Sequence, residues 1–255
     1  MKIGIFADSH YSSYELTCKF RRNNQSLKKI KEAYDYFVSQ NCEMVICLGD
    51  LIDYERSSAE VLENLKEIAK LVASYSVKTV AIMGNHDAFT ISVDDFYSIL
   101  KGCEPEDIMV DGKNLLFLDN CHHKDGTHYT TKGGDYRDTY YPFADELKNK
   151  LDTLSGDTYI FMHQPIDPLP WTDYKEHEER LKVCECGPEF WDECSVVNAQ
   201  EISDIVEKSG KVKAVYQGHF HFGKREEHNG VKYITVPSMA EYDNEVGKSL
   251  LVVEI

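Results

Sequence analysis

Five short stretches carry residues able to hold a metal ion or move a proton: Asp8-Ser9-His10, Gly49-Asp50-Leu51-Ile52-Asp53, Gly84-Asn85-His86-Asp87, His163 and Gly218-His219-Phe220-His221. Leaving His86 aside, Asp8, Asp50, His10, His163, His219, His221 and Asn85 make two carboxylates, four imidazoles and one amide oxygen. One divalent ion takes about four to six ligands, so such a set, with one carboxylate shared, fits two ions. Nitrogen and oxygen donors without thiolate suit manganese, iron or zinc rather than calcium or magnesium. Asp-x-His, and likewise His219 and His221, would present both side chains on one side of an extended segment, because strand side chains alternate with period 2. Asp50 and Asp53 together could equally serve as a general acid and base.

The elements that must position these residues are strands. Apolar runs at 2–7, 44–49, 77–83, 158–162 and 212–217 each stop just before one of the chemical stretches. Amphipathic helices are predicted at about 25–40, with Leu27, Ile30, Tyr34, Phe37 and Val38 on one stripe, and after the capping box Ser57-Ser58-Ala59-Glu60. The opening order is therefore β-α-β-α-β, a parallel layer covered by helices. Asp111-Gly112 and Asn229-Gly230 each sit between short strand-like segments and predict hairpins, which makes the sheet mixed. Further helices are expected at 92–101, 143–154 and from Asn198 to Gly210, and a last strand at 249–255. In open α/β sheets ligands bind beyond the carboxyl ends of the strands, so five tips bearing Asp, Asn or His converge on one site.

The ordered blocks resemble those of the calcineurin-like metallophosphoesterases: Asp-x-His, Gly-Asp-x-x-Asp, Gly-Asn-His-Asp/Glu, a lone His, and Gly-His-x-His. All five are present in order between residues 8 and 221. The resemblance implies a four-layer α/β/β/α sandwich with two mixed sheets, metals at the strand ends, and metal-dependent hydrolysis of a phosphoric ester. It implies that Asp8, His10 and His221 hold one ion, that Asn85, His163 and His219 hold the other, and that Asp50 bridges them. His86 would face the substrate phosphoryl group and Asp53 would orient it, while Asp87 supports the loop. Two ions about 3.5–4 Å apart clamp a phosphoryl group and lower the pKa of a bound water.

Departures thin the subgroups. Tyr54-Glu55 stand where protein phosphatases of this superfamily carry Arg-Gly, and Asp53 stands where purple acid phosphatases carry a ligand Tyr. His10 stands where ADP-ribose and CDP-alcohol pyrophosphatases carry Gln. A phosphodiesterase or phosphatase acting on a small soluble phosphorylated metabolite or nucleotide is expected. A nucleoside diphosphate-type pyrophosphatase is the alternative, and a non-catalytic scaffold on the same fold a more distant one.

Length and composition agree. The 255 residues, 42% hydrophobic, suit one domain over 1–255, with insertions at about 120–141 and 164–195 beside the site. A net charge of −16 repels phosphate backbones, which excludes long nucleic acid as a favoured partner. The N-terminus reads straight into a strand, with no signal-peptide pattern and no apolar run near ~20 residues, so a cytoplasmic address without membrane partners is expected. The eight cysteines are then read as reduced. Cys18, Cys42, Cys47 and Cys103 read as ordinary buried residues. Cys184, Cys186 and Cys194, near His177, fit no common zinc spacing and read as packing with Pro188, Phe190, Trp171 and Trp191 in a compact insertion. His122, His123 and His128, with Asp125 and Asp135, read as a surface loop in preference to a further metal site. Gly133-Gly134-Asp135-Tyr136-Arg137 could bring amides and the Arg137 guanidinium to a phosphate.

Overall fold

The computed structural model describes residues 1–14, 21–53, 57–168 and 194–255. Cys18, Tyr54, Glu55, Trp171, His177, Cys184, Cys186, Pro188, Phe190 and Trp191 lie outside the described residues, and so does most of the 164–195 insertion. The strands are β1 (Lys2–Phe6), β2 (Met44–Cys47), β3 (Lys78–Ala81), β4 (Ile108–Val110), β5 (Lys113–Leu118), β6 (Thr158–Met162), β7 (Val212–Gln217), β8 (Lys224–His228), β9 (Val231–Thr235) and β10 (Leu251–Glu254). The described α-helices are α1 (Ser26–Ser39), α2 (Ser58–Val72), α3 (Asn85–Thr90), α4 (Val93–Ile99), α5 (Tyr129–Lys132), α6 (Ala144–Thr153) and α7 (Ala199–Lys208).

The strands form two mixed sheets, ordered β10-β1-β2-β3 and β4-β5-β6-β7-β9-β8. β1, β2 and β3 are parallel, as are β5, β6, β7 and β9, while β4, β8 and β10 are antiparallel edges. The strand period of 2 explains the layering. Ile3, Ile5, Met44, Ile46, Leu48 and Val80 of the first sheet meet Leu115, Phe161, Ala214, Tyr216 and Val236 of the second. The alternate residues Phe6, Val45, Cys47 and Ala81 face outward and pack with Ile30, Tyr34 and Phe37 of α1 and Leu65 and Ile68 of α2. On the far side, Leu116, Ile160, Met162 and Val215 pack with Leu147 and Leu151 of α6 and Ile202 and Val206 of α7. Each such fully buried Ile, Leu or Phe contributes about 1.5–3 kcal/mol, so the two sheets are held face to face between helical layers. The architecture is the expected α/β/β/α sandwich.

Both predicted hairpins form, with Asp111, Gly112, Asn229 and Gly230 all at positive φ, as tight hairpin turns demand. Ser57 caps α2, accepting from the Glu60 amide. Val38, expected on the buried stripe of α1, is 48% exposed; Lys29 and Ala33 lie buried instead. Residues 120–141 are not wholly irregular, for they hold α5 and a 3₁₀ turn at Tyr136–Asp138. Among the described residues no helix is long and apolar enough to cross a membrane.

Candidate metal centre

The parallel strands of both sheets end at one edge, and their tips meet there. Asp8 and His10 follow β1, Asp50 follows β2, His163 follows β6, and His219 and His221 follow β7. Asn85 and His86 follow β3 and open α3, a six-residue helix that sequence reading did not anticipate. The loops are stitched across the strand tips by Asp8 N–H to Gly49 O (3.0 Å), His10 N–H to Asp50 O (2.9 Å) and Gly218 N–H to His163 O (2.8 Å).

The expected extended geometry of Asp-x-His and His-x-His is not what brings their side chains together. Asp8, His10, Asp50, His219 and His221 all have positive φ, between 44° and 66°. That is left-handed backbone, which costs about 1–2 kcal/mol for a residue with a Cβ and persists where surrounding structure over-determines it. The strands have already ended, and tight turns rather than strand alternation aim these side chains. Two glycines make room for them. A Cβ on Gly49, itself at φ +105°, would stand 2.5 Å from His163 Nδ1, and one on Gly84 would stand 2.1 Å from Asp50 Oδ1.

The side chains fall into two groups that share one carboxylate. Ligand-type atoms of Asp8, His10, Asp50 and His221 lie within 4.8 Å of one another, as do those of Asp50, His163 and His219. Asp50 Oδ2 is 3.6 Å from His10 Nε2 on one side and 3.4 Å from His163 Nε2 on the other. Asn85 Oδ1 stands 3.0 Å from His163 Nε2 and joins the second group. Asp8, His10, Asp50, Asn85 and His163 are all buried.

Several details fit two cations. Asp50 Oδ2 and His219 Nε2 are buried without a hydrogen-bond partner. His163 Nδ1 donates to the Leu48 carbonyl (2.8 Å), and His221 Nδ1 donates to Glu241 Oε1 (2.6 Å). Those bonds hold each Nδ1 outward and aim each Nε2 inward, the outer-shell arrangement that metal-binding histidines use. His10 Nε2 and His221 Nε2 then face each other at 2.9 Å, a contact that a cation or a proton must relieve.

Charges are distributed accordingly. Burial raises the Asp8 carboxyl to about 6 despite His221 and His163. Burial also works against ionised Asp50, yet His163, His86 and His10 outweigh it and hold that carboxyl well below its ordinary value. His163 is raised to about 9, because Asp50 and Asp8 outweigh burial. Burial holds His10 and His219 well below the ordinary imidazole value, so both are neutral donors.

His86 belongs to neither group but clusters with Asp53 and His10, its ring centre 4.5 Å from that of His10. Its backbone N–H donates to Asp50 Oδ1 (2.9 Å), and its ring Nδ1 lies 2.8 Å from Asp53 Oδ1. Asp53 Oδ2 accepts from Asn23 Nδ2 (2.9 Å) and Arg21 Nη1 (3.1 Å). Burial opposes ionised Asp53, but His86, His10 and Arg21 keep it well below the ordinary carboxylate value. Asp87 has a supporting place: its carboxylate accepts from the amides of Leu51 (3.3 Å), Ile52 (3.1 Å) and Gly84 (2.9 Å), tying two site loops together. Arg137 is held in a two-point pair by Asp135 (2.8 and 2.6 Å) and lies over Tyr136, whose ring centre is 5.8 Å from that of His219.

Arg21, Asn23 and Glu241 are site residues that sequence reading missed. Arg21 and Asn23 sit in a stretch without periodicity, and Glu241 follows β9 in a segment that returns to the first sheet, where Met239 N–H donates to Ala7 O (3.0 Å) and Ala240 N–H to Asp8 O (3.1 Å).

Residues 1–223 match the family model of the calcineurin-like phosphoesterases. No curated protein matches the chain at a significant level. Among solved structures, a dimetal phosphatase from Danio rerio aligns over 94% of this chain and 88% of its own, with TM-score 0.74 and 17% identity. Phosphopantetheinyl hydrolase from Mycobacterium tuberculosis aligns over 99% and 95%, with TM-score 0.56 and 13% identity. The anchor in the inner membrane complex of Plasmodium aligns over 92% and 70%, with TM-score 0.50 and 13% identity. At such identities the likeness is one of fold, and that fold serves both hydrolases and an anchor.

Proposed function

The chain belongs to the calcineurin-like phosphoesterase family, and on that premise we propose that it hydrolyses phosphoric esters of small soluble metabolites, nucleotides among them, at a binuclear metal centre. The observation that carries this reading is Asp50, whose Oδ2 is buried and lies between His10 and His163 of the two ligand groups, 3.6 and 3.4 Å from their Nε2 atoms. Asp8, His10 and His221 would hold one ion, and Asn85, His163 and His219 the other, with Asp50 shared; manganese, iron or zinc suits these donors. When bound, the ions supply Lewis acidity toward the phosphoryl oxygens and a nucleophile at neutral pH.

The chain's own groups do the rest. Asp53 accepts from His86 Nδ1, which leaves Nε2 directed to the substrate to offset charge on the leaving oxygen or to protonate it. Arg21 and Asn23 hold Asp53 in place. Arg137 is proposed as a phosphate contact at the edge of the site, in competition with Asp135. One phosphoesterase domain spans 1–255 in this reading. The net charge of −16 favours small substrates over long polyanions. Retention of every ligand position favours an enzyme over a scaffold.

The test is a screen of metal-reconstituted protein over phosphomonoesters, cyclic nucleotides and nucleoside diphosphate derivatives. Turnover of one class, lost on chelation and regained with metal, is expected. Nucleoside diphosphate turnover with inert monoesters and diesters would move the assignment to a pyrophosphatase. Protein that carries two ions per chain and turns over none of them would overturn it.

A further inference from the structure

The segment after β5 builds a second cluster that shares no residue with the binuclear centre: Asp119, His122 and His128 place one ligand-type atom each within 4.8 Å of one another. His128 Nε2 is 3.2 Å from Asp119 Oδ2, and His122 Nδ1 is 3.8 Å from Asp119 Oδ1. His122 is only 9% exposed, and its Nδ1 is buried without a hydrogen-bond partner; His128 Nε2 is likewise buried, with Asp119 Oδ2 as its near neighbour. Leaving such an atom unsatisfied in the folded chain is costly. The Asp119 carboxylate is 40% exposed, so the cluster is open to solvent on that side.

A proton alone does not account for the three groups. With His128 Nδ1 accepting from the Thr130 amide (3.2 Å), Nε2 would carry the proton and point at Asp119. His122 Nδ1 would still face the Asp119 carboxylate across 3.8 Å, too far for a hydrogen bond to it. In the other tautomer His128 Nδ1 donates to Thr130 Oγ1 (2.9 Å) and Nε2 turns a lone pair to the cluster. A cation then satisfies both nitrogens and the carboxylate at once. Ligands about 2.0–2.2 Å from a tetrahedral ion stand about 3.3–3.6 Å apart, between the Asp119–His128 separation of 3.2 Å and the Asp119–His122 separation of 3.8 Å.

We propose that Asp119, His122 and His128 form a third metal site, distinct from the binuclear centre, that takes a borderline divalent ion of the zinc type with its fourth position open to water. In place of a plain surface loop, the three residues then form a staple. The ion joins the end of β5 to both limbs of the following segment, where His122 bridges to His128 and to Tyr140. That segment carries Tyr136 to the edge of the binuclear centre.

Zn²⁺ alone is the probe, applied to the full chain. In a background with Asp8→Asn and Asp50→Asn, one Zn²⁺ per chain is expected to survive gel filtration. Adding His128→Asn, which keeps a side-chain acceptor for the Thr130 amide and hence the cap of α5, should remove it, with an affinity loss of at least ~10–100-fold and an unchanged far-UV circular dichroism spectrum. In the otherwise unaltered chain the same substitution should lower the zinc count from about three to about two while the turnover metals stay. A zinc count and affinity indifferent to His128→Asn in both backgrounds would overturn the proposal, as would absence of zinc from the folded first variant. Neither result bears on the binuclear centre, which is judged by turnover and by the two ions it holds.

Discussion

His86 Nδ1 and Asp53 Oδ1 stand 2.8 Å apart, and this bond decides which nitrogen of the ring is available for chemistry. With Nδ1 donating to the carboxylate, Nε2 is left toward the cleft. Asp53 is itself fixed by Arg21 and Asn23, so the ring has little freedom to turn.

A group that protonates or steadies the leaving oxygen matters most when that oxygen is a poor leaving group. His86→Ala is therefore expected to lower kcat by about 10²–10⁴ on alkyl phosphoesters and by much less on p-nitrophenyl esters, with metal content unchanged. A leaving-group series measured on both proteins checks this. An equal loss with every ester would make His86 a binding residue instead.

The two carboxylates of the Gly49–Asp53 stretch should fail differently. Asp50 faces both ligand groups, so Asp50→Asn replaces the carboxylate proposed to be shared by the two ions with a neutral amide and is expected to empty the centre. Asp53 hydrogen-bonds to His86, Asn23 and Arg21 and stands 3.7 Å from the outward Nδ1 of His10, so Asp53→Asn is expected to keep both ions and to lose about 10–100-fold in rate. Metal analysis of the two purified variants beside their kcat values separates the roles. Loss of metal from both would mean that Asp53 supports the centre itself.

Much of this site is legible in the sequence because its residues stand at strand tips. An apolar run such as Met44–Leu48 ends at Gly49, and the next side chain must be Asp50; the same logic finds Asp8, His163 and His219. The blocks in order then tell one site from several turns. What is not legible is backbone conformation: nothing in the residue types says that Asp8, His10 and His221 adopt positive φ, since that is imposed by contacts between loops distant in sequence. Helix α3 is likewise hidden, because six residues are too few to show a period. Arg21, Asn23 and Glu241 carry no motif at all, and only the crossing of the chain from β9 back to β1 brings Glu241 to His221.

Glu241 acts through His221. Its Oε1 accepts from Nδ1 at 2.6 Å, which holds the ring and makes Nε2 a better donor. Glu241→Gln keeps the size and loses the charge. It is expected to weaken one of the two metal sites by about 10–100-fold and leave the other unchanged. Competitive metal titration against a chromophoric chelator reads the two affinities apart. Equal weakening of both, or of neither, would detach Glu241 from His221.

Stability should depend on pH through Asp167, away from the candidate ligands. Asp167 is buried, its Oδ1 has no hydrogen-bond partner, and Gln217 Nε2 donates to Oδ2 at 2.7 Å. Burial raises its carboxyl from 3.8 to about 7, with Lys224 opposing and Glu226 assisting. Below the unfolded value the group is protonated in both states and contributes no pH dependence. Between that value and about 7 the native chain holds a proton that the unfolded chain has lost, so stability falls as pH rises. Above about 7 the penalty is complete, on the order of 4 kcal/mol. Asp167→Asn removes the ionisation and keeps an oxygen for Gln217. The variant is expected to unfold at a higher temperature than the parent at pH 8, and the difference should shrink toward zero by pH 4. Paired thermal unfolding curves across that range measure it, and a difference that did not change with pH would show that ionisation of Asp167 is not what limits stability there.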